Sequence, residues 1–133
     1  MNHNRRTGVL GEAIAAHFLE ENGLQILERN YRSCFGEIDI IARDRWDLIV
    51  KHASEVPMAL QLVVVEVKTR RSVSSGSGAE AVSYSKQRKI CYAFNEYRMK
   101  HRIGDYVPVR FDVIEVDGAG HCHWIRNAFE FVE

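Results

Sequence analysis

The chain has 133 residues, with 18 basic and 18 acidic side chains and a formal net charge of zero. That length fits one domain, and 46% hydrophobic residues suffice for a sizeable core, which excludes disordered and fibrous classes. No apolar run approaches the roughly 20 residues that span a bilayer. The N-terminus leads into a segment holding Glu12, Glu20 and Glu21 rather than the apolar region of a signal peptide, and Cys34, Cys91 and Cys122 are too few and scattered for a disulfide framework. The expectation is a soluble, reduced, cytoplasmic α/β domain over residues 1–133.

Thr7 to Asn22 carries Leu10, Ile14 and Phe18 in an i, i+4 ladder, which predicts an amphipathic helix capped by Thr7 and stopped by Gly23. Leu24 to Arg32 reads as a first strand, and Cys34-Phe35-Gly36 as a turn. Glu37 to Ala42 alternates as a strand, with Glu37 and Asp39 on one face. A polar break at residues 43–45 precedes a short apolar run, Trp46 to Val50. Residues 51–60 contain Pro57 and predict a loop. Gln61 to Thr69 is so rich in valine that it predicts a central strand buried on both faces. Residues 72–78 form a Ser/Gly-rich loop. From Glu80 to about Lys100 the period is helical, with Val82, Ile90, Phe94 and Tyr97 toward the core. Val107 to Val116 and His121 to Ile125 are strands joined by a hairpin at residues 117–120. Short connections favour antiparallel pairing of the first strands, and the long helix permits a crossover. The prediction is a mixed sheet flanked by α-helices in an α/β layer architecture.

Charge is unevenly distributed. Residues 68–102 hold nine basic side chains against Glu80 and Glu96, net +7, while the segments before and after are net −3 and −4. Such a run is either a solvated helix face or a surface for a polyanion.

Charge inside an apolar strand is costly unless it is compensated. Glu66 and Lys68 interrupt the valine run of their strand on one face, and Glu37 and Asp39 repeat the pattern on another. One reading is a buried Glu66–Lys68 ion pair. The other is a converging carboxylate cluster that holds a metal or tunes a proton. Asp112, beside Arg110, reads as a structural ion-pair partner. His121 and His123 share a strand face but lack a second ligand pair for zinc. No phosphate-binding glycine loop, nucleophile elbow or C-x-x-C is present.

Gly36-Glu37-Ile38-Asp39 followed by Val65-Glu66-Val67-Lys68 resembles the PD-(D/E)xK nuclease signature, in the form D…ExK. Six blocks resemble in order those of the YraN-like family of small bacterial proteins. They are Gly11-Glu12, residues 29–32, Gly36 to Ala42, Val65 to Arg70, residues 86–89 and Arg110 to Val113. The resemblance implies a restriction-endonuclease-like fold, similar to archaeal Holliday-junction resolvases. Two departures stand out: residues 51–60 read as a loop insertion, and Ile38 occupies the position of the signature's proline.

What the resemblance implies is a metal-dependent endonuclease or resolvase-like phosphodiesterase acting on DNA, branched or single-stranded. Its catalytic residues would be Asp39, Glu66 and Lys68. Asp39, Glu66 and the backbone carbonyl of Val67, joined by Glu12, would hold Mg²⁺ or Mn²⁺. Arg70, Arg71, Lys86, Gln87, Arg88 and Lys89 would bind the nucleic-acid backbone, with Arg98, Lys100 and Arg102 on the flanks. Dimers are common in this fold because two sites can address two strands, although no segment here marks an interface. The alternative is an accessory module that keeps the fold and binds nucleic acid without cutting it.

Overall fold

The computed structural model describes residues 3–45, 60–70 and 82–132. Seven elements follow one another: α1 (His3–Glu21), β1 (Gln25–Arg32), β2 (Glu37–Arg45), β3 (Leu60–Thr69), α2 (Tyr84–Lys100), β4 (Val109–Val116) and β5 (Cys122–Phe129). The strands form one sheet in sequence order, antiparallel except for β3 and β4, which run parallel. α2 makes that parallel crossover, since a parallel pair needs a connection that returns the chain to the starting edge. The mixed α/β architecture expected from the sequence is therefore the observed one, and it is consistent with a restriction-endonuclease-like fold.

The two helices cover opposite faces. On the α1 side, Ala15, Ala16 and Leu19 pack on Ile40, Ala42, Val63, Val65, Ile114 and Val116. On the α2 side, Ile90, Cys91, Phe94 and Tyr97 pack on Ile41, Leu62, Val64, Phe111 and Val113. β3 is thus apolar on both faces because a helix lies over each.

Several boundaries move. The inward face of α1 is formed by the small residues Gly11, Ala15 and Ala16 together with Leu19, whereas Leu10 is 62% exposed. Small side chains let the helix lie close to the sheet, so the bulkier ladder ends up at the flank of the contact rather than its centre. β2 runs through the expected break at residues 43–45, because those residues pair with β3 and Asp44 meets Arg110. α2 begins at Tyr84, where the Ser83 hydroxyl accepts the Lys86 N–H and caps the helix. β5 continues to Phe129. The run 46–50, the Ser/Gly loop at 72–78 and the insertion at 51–60, save Leu60 at the start of β3, lie outside the described residues. Among the described residues no helix is long and apolar enough to cross a membrane.

Candidate active site at the fork between β2 and β3

β2 and β3 stay paired from Arg45 and Leu60 as far as Ile40 and Val65. β3 then continues beside β4 to Thr69. The next residues past the last β2–β3 pair are Asp39 and Glu66, so both acids stand where the strands part. Side-chain alternation along β2 breaks at the same point: Ile38 packs on the α2 side, Ile40 on the α1 side. The Asp39 carboxylate replaces the missing strand partner, with Oδ2 accepting the Val67 N–H at 2.8 Å. The N–H and C=O of a strand residue face the same edge, so the Val67 carbonyl opens on this fork too.

Glu66 is 4% exposed and lies on the α2 side of β3. The Lys68 Nζ, two residues along, is 3.7 Å from its Oε1, and the Lys86 Nζ is 2.5 Å from the same oxygen. The Ser83 cap sets Lys86 in the first turn of α2. A cation there opposes the helix dipole, and Glu66 supplies the compensation. From the other face α1 brings Glu12. Its approach depends on Gly11, where a Cβ would run into the Thr69 methyl at the end of β3.

These placements shift the titrations. Burial, followed by the Glu66 carboxylate, raises Asp39 to about 8, against the pull of the Val67 N–H, and the Glu12 charge adds to the rise. The Asp39 and Glu66 carboxyls lie close enough to share a proton. Burial, then the neighbouring Lys86 charge, lowers the Lys68 ammonium. Burial also disfavours charge on Lys86, but its bond to Glu66 outweighs that and leaves it raised.

Among the described residues no three His, Cys, Asp or Glu side chains are grouped to hold a metal ion. Two carboxylates and a carbonyl nevertheless suit Mg²⁺, which binds through one or two carboxylates and keeps several waters. Burial, the largest cause of the raised Asp39 titration, disfavours its charged form, and a dication would favour it. The donor set fits the metal.

The other sequence candidates divide. Arg70 Nε is 3.5 Å from Glu115, Gln87 donates to the Val82 carbonyl at 3.0 Å, and Arg88 donates to the Tyr92 hydroxyl at 3.0 Å. Lys89 and Glu37 are exposed, and Arg71 lies outside the described residues. Arg98 turns inward to the Val107 carbonyl at 2.9 Å and stacks on Phe94, while Lys100 pairs with Glu96 at 2.9 Å. His121 meets Asp117 at 3.1 Å. Asp112 is wholly buried in a network with Arg110.

One acid escaped the sequence reading. Glu115 is 1% exposed, pairs in register with Lys68 across β3 and β4, and neither of its oxygens accepts a hydrogen bond. The signal was present: a carboxylate between Ile114 and Val116 breaks an apolar strand just as Glu66 does.

Comparison with known proteins agrees with the motif blocks. The model of the uncharacterised protein family UPF0102 matches residues 11–116. A UPF0102 protein of Legionella pneumophila is 37% identical over 124 residues, covering 92% of this chain and 93% of the relative. One from Rhodococcus jostii is 41% identical, covering 97% of this chain and all of the relative. One from Syntrophus aciditrophicus is 45% identical, covering 98% and 93%. With these matches over most of its length, and the six blocks of the YraN-like pattern in order, the chain belongs to the UPF0102 family.

Proposed function

We propose that this protein is a divalent-metal-dependent nuclease that hydrolyses phosphodiesters in DNA. The observation that carries the reading is the placement of Asp39 and Glu66 side by side at the β2–β3 fork, with Lys68 3.7 Å from Glu66. Asp39, Glu66 and the Val67 carbonyl would hold Mg²⁺ or Mn²⁺, with Glu12 adding negative charge from α1. When bound, the metal supplies a Lewis acid for the phosphate oxygens and a more acidic water.

The chain's own residues do the rest. The Val67 N–H fixes the rotamer of Asp39 and so aims its second oxygen into the fork. Lys68, with its ammonium lowered by burial and by Lys86, is suited to orient the attacking water or to exchange a proton with it. Lys86 neutralises Glu66 and presents charge to a phosphate at the start of α2. Arg88 and Lys89 follow two and three residues further along the same helix.

A second reading has its own support. Glu66 is already compensated by two lysines, a self-sufficient arrangement for a protein that binds nucleic acid without cutting it. Incubation with Mg²⁺ or Mn²⁺ and a panel of duplex, single-stranded, flap and four-way-junction DNAs separates the two. The nuclease reading expects cleavage that is lost in Asp39→Asn and Lys68→Ala. Cleavage surviving in both variants points to a contaminant. Binding without cleavage under every metal condition favours the accessory module.

A further inference from the structure

Beside the acidic fork lies an aromatic surface that the hydrolytic chemistry does not use. The β1–β2 turn carries Phe35 at its tip, 48% exposed. Its ring lies 5.6 Å from that of Tyr92 on α2, tilted by 46°. Arg88 completes the group, with its guanidinium 5.7 Å from the Tyr92 ring centre and bonded to the hydroxyl at 3.0 Å.

The turn is held rigidly. The Ser33 hydroxyl accepts the N–H groups of Phe35 at 3.0 Å and Gly36 at 3.2 Å, and the Ser33 N–H donates to the Gly36 carbonyl at 2.9 Å. Gly36 seats the turn on α2, where a Cβ would come 3.4 Å from Lys89. A half-bare phenyl ring on a fixed, otherwise polar turn is apolar area that packing alone leaves uncovered.

We propose that Phe35, Tyr92 and Arg88 form a stacking platform for an unpaired base of a DNA strand whose backbone crosses the acidic fork. The inference rests on the nuclease reading and gives it a substrate class: DNA with an unpaired or splayed nucleotide beside the scissile phosphate. Two placements support it. Phe35 precedes Asp39 by four residues, so their Cα atoms are at most about 13 Å apart. The same first turns of α2 carry Lys86 to Glu66 and bear Arg88 and Lys89, so one helix presents cationic groups both at the fork and at Tyr92. Aromatic faces interleaved with cations are what a single strand needs, because every base has a stacking face while the cations follow the phosphates. A paired base in a duplex offers no free face to such a platform.

The test compares the full chain with Phe35→Ala, Phe35→Leu and Phe35→Trp, in Ca²⁺ to hold cleavage in check. The probes are a fully paired duplex and the same duplex bearing a short single-stranded flap with 2-aminopurine next to the junction. The expected result is tighter binding of the flap by the parent chain, with 2-aminopurine quenched on binding. Phe35→Ala and Phe35→Leu should bind the flap about fivefold to tenfold more weakly, lose the quench, and keep the parent's duplex affinity and salt slope. Phe35→Trp should retain both binding and quench. Equal flap affinity in Phe35→Ala, or an equal loss on flap and duplex, overturns the platform and leaves the nuclease reading standing. Failure of the parent chain to bind either DNA overturns both.

Discussion

The Asp39 carboxylate accepts the Val67 N–H at 2.8 Å, across the point where β2 and β3 separate. The bond stands in for one rung of the sheet and orients a buried acid that has two more carboxylates, Glu66 and Glu12, among its neighbours. Burial and those neighbours raise Asp39 from 3.8 to about 8, so the folded protein holds a proton there that the unfolded chain releases near pH 4. The sign follows. The folded state binds more protons between these values, so the Asp39 contribution is most favourable below pH 4 and is lost as pH rises through about 8. Asp39→Asn keeps an oxygen for Val67 and has no charge to lose. Urea denaturation in the absence of divalent metal should therefore show the variant gaining stability over the parent as pH rises from 5 to 9. A constant difference across that range contradicts the raised titration.

Lys86 and a divalent cation would compete for one carboxylate oxygen of Glu66. Removing the cation from beside a buried carboxylate such as Glu66 costs stability, because the remaining charge loses its compensation. Lys86→Met should therefore melt at a lower temperature than the parent without metal. A ligand that binds only the folded state raises the melting temperature more the more tightly it binds, so the rise caused by Mn²⁺ should be larger in Lys86→Met than in the parent. Equal rises would show that the metal does not bind at Glu66.

The sequence carried the sheet and the core of the site because both depend on short-range patterns. The valine alternation of β3 announces a doubly covered strand, and charges breaking such a run mark Glu66 and Lys68. What pattern could not supply was phase and partnership. The spacing of Leu10, Ile14 and Phe18 suggests the buried stripe of α1, yet close helix–sheet approach selects the small residues Gly11, Ala15 and Ala16, with Leu19 beside them. The basic run 68–102 read as one surface, but tertiary contacts send Lys86 to Glu66, Arg70 to Glu115 and Arg98 to Val107. Glu115 needed the parallel register with Lys68 to be seen as part of the same neighbourhood.

The close approach of α1 can be tested at Gly11, which faces Thr69 where β3 ends. Leucine is a far better helix former than glycine, so local propensity alone predicts a gain of somewhat under 1 kcal/mol. Packing predicts the reverse: a side chain at this position must push α1 off the sheet, at a cost of about 1–3 kcal/mol. Gly11→Leu should therefore destabilise, while Ala13→Leu, on the exposed face of the same helix, should be nearly neutral. Because Glu12 moves with the helix, Gly11→Leu should also weaken the thermal shift produced by Mn²⁺. Increased stability in Gly11→Leu would mean that the contact with Thr69 yields freely.

The opposite face of the sheet is held by a different acid, and its loss should separate folding from chemistry. Asp112 has no exposed surface. Its Oδ1 accepts Arg110 Nε at 2.9 Å and the Asn127 N–H at 2.8 Å, and its Oδ2 accepts Arg110 Nη2 at 3.0 Å and Trp124 Nε1 at 2.9 Å. Arg110 reaches on to Gln61 at 3.0 Å and Asp44 at 3.4 Å, so the network joins β2, β3, β4 and β5. It also explains a local irregularity. The β4–β5 register slips between Phe111 and Val113, and Asn127, with φ of 52°, gives its N–H to the Asp112 carboxylate. Asp112→Ala leaves an indole N–H and a backbone N–H without their acceptor and, among the described residues, the Arg110 guanidinium with only Gln61 and Asp44 as acceptors. The expected loss is about 3 kcal/mol or more, read from urea denaturation. Asp112 lies beside Val65 but on the α1 face, whereas Glu66 lies on the α2 face, so at temperatures where the variant remains folded its metal affinity should match that of the parent. A stable Asp112→Ala with weakened metal binding would move Asp112 from the framework into the site.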